Sequence, residues 1–210
     1  MKSESAIRAV LWDMGGVLLR NMIPEPRIHL AELYGMSEAQ LEELVFRNPV
    51  SKKATIGEVG VEELWEYVRE ALQLDPQKLA EFEVTFWSSD RVDEELIDFI
   101  QSLRQNYKIG LLSNAFINAR PSLSKRFPGL LNVFDEVVFS YEVKIAKPDP
   151  RIYSLMLDKL GLEPENAIFV DDFRENVEAA HALGIHAIQF RNSRQARQAV
   201  LEVLSSNGAE

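Results

Sequence analysis

Short apolar runs that end in polar residues are the feature of this chain that most constrains its fold. Residues 9–12 are apolar or aromatic and lead directly into Asp13, which is followed by Gly15 and Gly16. A run of this kind is typical of a parallel strand that is buried on both faces. A carboxylate at the end of such a strand is costly unless another group compensates its charge. Because ligands bind at the carboxyl ends of the strands in open parallel sheets, we expect Asp13 to belong to a binding site.

The same pattern returns twice later in the chain. One predicted strand ends in a hydroxyl and an amide, those of Ser113 and Asn114. Another, at 167–170, ends in two adjacent carboxylates, Asp171 and Asp172. The carboxyl ends of parallel strands meet at one edge of a sheet. We therefore expect these polar groups to lie close to the first carboxylate.

The order of the patterns predicts an α/β fold. Strand and helix patterns alternate after residue 90, which indicates a parallel sheet covered by helices. Strands are predicted near 6–12, 108–113, 136–140, 167–171 and 186–190, and helices near 92–105, 117–126, 150–160, 174–183 and 193–205. We expect a doubly wound, Rossmann-like parallel sheet with helices on its faces.

A long stretch between the first two strands has a different character. Residues 20–89 carry helical periodicity and no convincing strand. A segment of about 70 residues is too long for a loop. The sequence therefore predicts an α/β core domain formed by residues 1–19 and 90–210, and an inserted helical cap domain formed by residues 20–89.

Composition excludes several classes of function. The net charge of −10 argues against a nucleic-acid-binding surface, which would be basic. The chain has no cysteine, so thiolate chemistry, disulfides and cysteine-ligated metals are excluded. The first residues resemble neither a signal peptide nor a membrane span, so we expect a cytoplasmic protein with no membrane partner. No pattern predicts the oligomeric state.

A lysine completes the set of polar motifs. Lys147 precedes a Pro-Asp-Pro sequence and the start of a predicted helix. In order and spacing, the motifs at Asp13, 113–114, 147 and 171–172 resemble those of the haloacid dehalogenase-like (HAD) hydrolase superfamily, over nearly the whole chain. The resemblance is strongest to sugar-phosphate phosphatases and to the phosphatase domain of soluble epoxide hydrolases. It implies a cap that closes over the active site and selects the substrate.

The resemblance also implies roles for the carboxylates. Asp13 matches the nucleophile, which forms an aspartyl-phosphate intermediate. Asp172 and, behind it, Asp171 match the residues that hold Mg²⁺ together with Asp13 and the backbone carbonyl of Gly15. Asn176 is expected to support Asp172. The implied reaction is Mg²⁺-dependent hydrolysis of a small phosphorylated metabolite.

The remaining motifs are expected to contact the phosphate. Ser113 and Asn114 match residues that donate hydrogen bonds to phosphate oxygens, although capping of a helix is an alternative role. Lys147 matches the lysine that neutralises both the nucleophile and the phosphate. Lys144 is a competing candidate, but the Lys-Pro-Asp-Pro context favours position 147.

Gly15 departs from the phosphatase pattern. That pattern is Asp-x-Asp, and the second aspartate acts as the general acid and base; here glycine occupies its place. General acid–base catalysis contributes on the order of 10²–10⁴-fold to a rate. Three interpretations remain open: substrates with good leaving groups, a substitute acid from the cap or a metal-bound water, or a non-catalytic relative that binds phosphorylated metabolites.

Haloacid dehalogenases also lack the second aspartate, so a halide-displacing hydrolase is a further alternative. Such enzymes need no metal. Adjacent carboxylates at 171 and 172 beside a third at 13 would raise one another's pKa unless a cation compensated them. The acidic pair therefore favours the metal-dependent phosphatase.

One basic segment of the predicted cap has two interpretations. Arg47, Lys52 and Lys53 cluster between two predicted helices, in what the pattern indicates is a loop. The cluster is either a solvated linker, which is the commoner case, or a contact for a second anionic group of the substrate. Arg174 is expected either to pair along its helix or to reach the site.

Overall fold

The computed structural model describes residues 6–206. Within that range the strands, in chain order, are β1 (Ala9–Trp12), β2 (Leu19–Asn21), β3 (Asp90–Val92), β4 (Lys108–Ser113), β5 (Glu136–Phe139), β6 (Ala167–Asp171) and β7 (His186–Gln189). The α-helices are α1 (Glu25–Leu33), α2 (Glu38–Phe46), α3 (Pro49–Thr55), α4 (Val61–Leu72), α5 (Pro76–Ser88), α6 (Glu94–Leu103), α7 (Ala119–Arg126), α8 (Ser140–Val143), α9 (Pro150–Leu160), α10 (Arg174–Ala182) and α11 (Ser193–Ser206). Short 3₁₀ turns lie at Leu130–Val133 and Pro164–Asn166.

The main sheet has five parallel strands in the order β5-β4-β1-β6-β7. β1 is central, with β4 on one side and β6 on the other, so the chain winds in both directions from the first strand. The predicted doubly wound parallel sheet is confirmed. This order brings the ends of β1, β4 and β6 together, and these are the three strands that end in the predicted site residues.

Helices cover both faces of this sheet, which explains why β1 is a continuous apolar run. Consecutive side chains of a strand point to opposite faces. Val10 and Trp12 pack in the cluster that includes Ile100 of α6 and Val200 of α11. Ala9 and Leu11 join the opposite cluster, which is formed with α9 and α10. All four residues of β1 are completely buried.

Helices α1–α5 form a separate helical layer. They are inserted between β2 and β3 and have their own apolar cluster, which includes Leu41, Val45, Trp65, Phe82 and Phe86. The helical content predicted for this region is confirmed. The domain boundaries at 19/20 and 89/90 stay a prediction.

The expectation of no strand in 20–89 is wrong at the edge of the segment. β2 and β3 pair antiparallel, with Leu19 opposite Val92 and Asn21 opposite Asp90. Each strand has only three residues, most of them polar and half-exposed. Neither therefore shows the apolar run or the alternation that identifies a strand in a sequence. The insertion leaves the core along β2 and returns along β3.

The start of α6 differs slightly from the prediction because of a side-chain cap. The side chain of Asp93 accepts a hydrogen bond from Leu96 N, so the helix begins at Glu94 rather than near residue 92. None of the helices within residues 6–206 is long and apolar enough to cross a membrane.

A buried ion pair joins the insertion to its return strand. Arg27 Nη2 of α1 lies 2.7 Å from Asp90 Oδ1 of β3, and both side chains are 6% exposed. The Arg27 guanidinium also donates to the carbonyl of Phe86 and lies over the Phe86 ring. Losing one partner of a buried pair leaves the other charge uncompensated in the interior.

We expect Arg27→Ala to lower the free energy of unfolding by about 3–5 kcal/mol, because it leaves the Asp90 carboxylate buried without its partner. Urea denaturation measures the change. Arg174→Ala is the matched control, since its pair with Glu178 is exposed on both sides, and it should cost at most about 0.5 kcal/mol. Equal losses in the two variants would contradict the assignment.

Candidate active site

The centre of the site is a lysine held between two carboxylates. Lys147 Nζ lies 2.7 Å from Asp13 Oδ1 and 2.6 Å from Asp171 Oδ2. All three side chains are buried, that of Lys147 to 1% exposure. Asp13 follows β1, Asp171 ends β6, and Lys147 lies in the loop before α9. The sheet and this loop thus bring together residues that are far apart in the sequence.

Burial and charge oppose each other at these groups. Burial raises the pKa of Asp13 to about 7; Lys147 acts against this rise, and Asp171 adds to it. Burial alone would lower the pKa of Lys147, but Asp13 and Asp171 together outweigh burial and raise it. The lysine is therefore held in its charged form, which is the form that can neutralise an anion.

The oxygens of Asp171 are occupied by Lys147 and by other groups of the protein. They accept hydrogen bonds from the Asn176 amide at 2.9 and 3.1 Å and from the Phe173 backbone N–H at 2.8 Å. The expectation that Asn176 supports Asp172 is wrong, since the amide reaches Asp171. The reason is the register of α10, which turns Asn176 back towards the end of β6.

A hydrogen bond from Tyr153 supports Asn176, and the sequence did not predict this contact. The buried Tyr153 hydroxyl donates to the backbone carbonyl of Asn176 at 3.0 Å. An aromatic residue on the buried face of α9 has the pattern of an ordinary core residue. The sequence therefore offered no signal for this contact.

Asp172 differs from its neighbour because one of its oxygens has no partner. Its Oδ1 is buried and makes no hydrogen bond in the described part of the chain. Burial, and after it the charge of Asp171, raise the pKa of Asp172 to about 6. One oxygen from each of Asp13, Asp171 and Asp172 lies within 4.8 Å of the others. A buried oxygen without a partner, within a set of hard oxygen donors, fits Mg²⁺.

The two glycines after β1 are not equivalent. Gly16 has φ +77°, and a Cβ placed there would lie 2.3 Å from Asp172 Oδ2. Gly15 has no left-handed φ, and a Cβ there would meet nothing within 4 Å. Gly16 is therefore required for the close approach of the carboxylate, whereas the position of Gly15 has room for a side chain.

Asn114 uses its side chain on the protein itself. Its Nδ2 donates to the Lys147 carbonyl at 2.9 Å, and its Oδ1 accepts the Lys147 backbone N–H at 2.8 Å. Ser113 is buried, and within residues 6–206 its hydroxyl makes a single long contact, of 3.4 Å, to the Asn114 carbonyl. Asn114 thus fixes the backbone of the lysine, and Ser113 is the side chain with capacity to bind a ligand.

The remaining basic candidates are exposed or paired along a helix. Lys144 is exposed, and Arg174 pairs with Glu178 along α10. Lys52 and Lys53 are exposed on α3, so the loop predicted around them is wrong. The Asn48 side chain caps this helix by accepting the N–H groups of residues 50 and 51.

The end of α2 lies against loops of the core that flank the site. The Arg47 guanidinium lies over the ring of Phe173, 5.2 Å from the ring centroid. Phe173 is the residue that follows Asp172 in the sequence. Phe46 stacks on Phe116, which follows the end of β4, with ring centroids 6.3 Å apart. The insertion thus contacts the loops that follow both β4 and β6.

The fold and the arrangement of these residues agree with a family model. The model of haloacid dehalogenase-like hydrolases matches residues 7–184. The chain belongs to this family. The resemblance on which the sequence analysis rested is confirmed, and the protein is a hydrolase of the HAD type.

Relatives of this HAD hydrolase include proteins with named activities. It is 28% identical to a phosphorylated carbohydrates phosphatase of Thermotoga maritima over 190 residues, 87% of this chain and 84% of the relative. It is 32% identical to mouse bifunctional epoxide hydrolase 2 over 91 residues, 43% of this chain and 16% of the relative. The chain spans 5–59% of the length of the first curated relatives that it matches.

Solved structures of HAD proteins share the fold. One is a HAD family enzyme of Bacteroides thetaiotaomicron, determined in complex with magnesium and inorganic phosphate. It is 25% identical with a TM-score of 0.71, and the match covers 89% of this chain and 95% of that one.

The glycine pair of this HAD hydrolase provides a matched test. We expect Gly16→Ala to lower the free energy of unfolding by about 1–2 kcal/mol, because φ is positive, and also to displace Asp172. Gly15→Ala should be tolerated, since its Cβ enters open space. Urea denaturation and the Mg²⁺-induced rise in melting temperature measure both effects. An equal response of the two variants would show that the contact with Asp172 is unimportant.

Proposed function

We propose that this HAD hydrolase is a Mg²⁺-dependent phosphatase that acts on a small phosphorylated metabolite through an aspartyl-phosphate on Asp13. The observation that carries the proposal is the unpartnered Oδ1 of Asp172 beside the ion pair of Asp13 and Lys147. The activity named for the Thermotoga relative and the ligands of the Bacteroides enzyme support it.

The proposed metal ligands are the carboxylates of Asp13 and Asp172 and the backbone carbonyl of Gly15, with Asp171 behind them. Asp171 contributes mainly through Lys147, because its oxygens already accept protein hydrogen bonds. Bound Mg²⁺ would supply positive charge that lets the anionic nucleophile and the phosphate approach each other.

The protein's own groups would have the following roles in the reaction. Lys147 holds Asp13 Oδ1, which orients the carboxylate and leaves its second oxygen to attack phosphorus. The bond from phosphorus to the leaving oxygen breaks as the bond to Asp13 forms. In this proposal the hydroxyl of Ser113 and the backbone N–H of Asn114 donate to phosphate oxygens. Water then cleaves the aspartyl-phosphate and releases inorganic phosphate.

Gly15 determines which leaving groups are suitable. No side chain at this position can protonate the leaving oxygen or deprotonate the water. Substrates whose leaving groups depart as stable anions, such as acyl or aryl phosphates, depend least on that proton. A sugar 1-phosphate is a further proposed class, because its anomeric leaving group is more acidic than an ordinary alcohol.

A halide-displacing reaction on the same carboxylate is disfavoured by the crowding of negative charge, since one oxygen from each of three carboxylates lies within 4.8 Å of the others. That chemistry needs one nucleophile and no cation. Here burial and charge raise the pKa of both Asp13 and Asp172, so the site bears an electrostatic cost without a metal. A divalent cation bound by the two carboxylates would offset this cost.

We expect Mg²⁺-dependent release of phosphate from an aryl phosphate, and loss of at least about 10³-fold in Asp13→Asn because the nucleophile is removed. Asp158→Asn, which changes an exposed carboxylate on α9, is the control and should keep wild-type activity. Asp172→Asn should abolish the Mg²⁺-dependent turnover, because it removes a proposed metal ligand. Turnover that persists in chelator, or in Asp13→Asn, would contradict the proposal.

Gly15→Asp should raise turnover of an alkyl phosphate, because it restores an acid where the structure has room. General acid catalysis is worth on the order of 10²–10⁴-fold. The gain should be much smaller for an aryl phosphate, whose leaving group needs no proton. Gly15→Asn, of the same size without the acid, is the control. Equal gains for both esters, or for both variants, would show that a missing acid does not limit the rate.

A further inference from the structure

Ser140 lies where the inserted helices meet the loop after β4. Its side chain is completely buried, and its hydroxyl donates to the carbonyl of Thr55, at the end of α3, at 2.6 Å. The same oxygen accepts the backbone N–H of Ala115 at 2.9 Å. One hydroxyl thus joins a helix of the insertion to the loop that follows Ser113 and Asn114.

A glycine allows this contact to be close. Gly57 lies just beyond α3 and has φ +68°. A Cβ at this position would lie 2.9 Å from the carbonyl oxygen of Tyr141, a backbone atom that cannot swing away. The absence of a side chain at Gly57 therefore keeps Thr55 within reach of Ser140.

Two adjacent residues, Asn114 and Ala115, connect Ser140 to the buried lysine. Ala115, whose N–H the serine accepts, is the next residue after Asn114. The Asn114 amide holds both backbone polar groups of Lys147, at 2.8 and 2.9 Å. A shift of the Ala115 loop would therefore move the Asn114 amide, and with it the backbone that carries the lysine.

The serine hydroxyl has two acceptors within reach but only one hydrogen. The Thr55 carbonyl lies at 2.6 Å and the Ala115 carbonyl at 3.3 Å. If α3 moves away from the core, the hydroxyl can turn to Ala115 and remain hydrogen-bonded. A buried donor is then never left without a partner, which would be costly. The contact therefore has two satisfied arrangements, as an element that couples two sites requires.

We propose that Ser140 is a positioning residue that couples the seating of α3 on the core to the placement of Lys147. Its catalytic consequence rests on the proposed phosphatase function. When α3 is seated, the Ala115 loop and Asn114 hold the lysine for turnover. When α3 is displaced, that loop and the lysine relax together.

The first variant removes the hydroxyl. In Ser140→Ala, kcat/KM for an aryl phosphate should fall about tenfold, the effect of losing one or two neutral hydrogen bonds. The fall should appear mainly in kcat, and the affinity for Mg²⁺ should change much less than kcat, since Ser140 bonds to none of the proposed ligands. Ser89→Ala is the control: its hydroxyl is equally buried but donates to Phe86 within the insertion.

The second variant acts from the other side of the contact. Gly57→Ala should reproduce the loss of Ser140→Ala, because its Cβ displaces α3 from Tyr141. Gly35→Ala is the control, with a similar φ of +65° in the insertion and no neighbour within 4 Å of a Cβ. The double variant at 57 and 140 should lose little more than either single one. Losses that multiply would overturn the coupling.

A third measurement does not depend on activity. The Lys147 amide, which is bonded to Asn114, should exchange its hydrogen about tenfold faster in Ser140→Ala and in Gly57→Ala than in either control. If wild type shows no Mg²⁺-dependent hydrolysis, the phosphatase function fails while this exchange still decides the coupling. Unchanged exchange in a folded variant would overturn it, and if Ser140→Ala does not fold, Gly57→Ala decides alone.

Discussion

The interaction on which the rest of the site depends is the contact of one buried ammonium with two buried carboxylates. Without Lys147, the charges of Asp13 and Asp171 would be costly to keep buried at the ends of β1 and β6. With it, both carboxylates face a positive charge, and the proposed function uses Asp13 as the nucleophile and Asp171 as the group that orients the lysine. Much of the nearby structure serves to fix this lysine: Asn114 holds its backbone, and Asn176 holds the carboxylate that faces it.

The adjacent aspartates show how neighbours in sequence acquire different chemistry. Asp171 belongs to β6 and is completely buried, and it accepts hydrogen bonds from Lys147, Asn176 and the Phe173 backbone. Asp172 lies just past the strand, faces the glycine turn and keeps an oxygen that has no partner among the residues that the structure describes. Alternation along a strand is enough to produce this division. One carboxylate thereby bonds to the protein, and the other is the one that the proposed function assigns to Mg²⁺.

The sequence predicted the sheet and the positions of the site residues because both depend on local patterns. A buried strand is a run of apolar residues, and a polar residue at its end marks the edge where ligands bind. It did not predict the partner of Asn176, which depends on the rotation of α10, nor the serine at 140, which has no motif around it. β2 and β3 escape prediction because strands of three residues, two of them polar, carry no periodicity. The helix at Lys52 escapes it because seven residues that begin with proline resemble a loop. Contacts between distant segments have no signature in one sequence.

The pairing of β2 with β3 has a consequence for how such a protein can change over time. The insertion leaves and rejoins the core on neighbouring strands, whose backbones in any sheet lie about 5 Å apart. Its helices also have an apolar cluster of their own. A segment with adjoining ends and its own packing can be exchanged for another without disturbing the host sheet. The polar groups at the strand ends and the helices of the insertion can therefore be inherited separately, because the two junctions of the insertion lie on neighbouring strands.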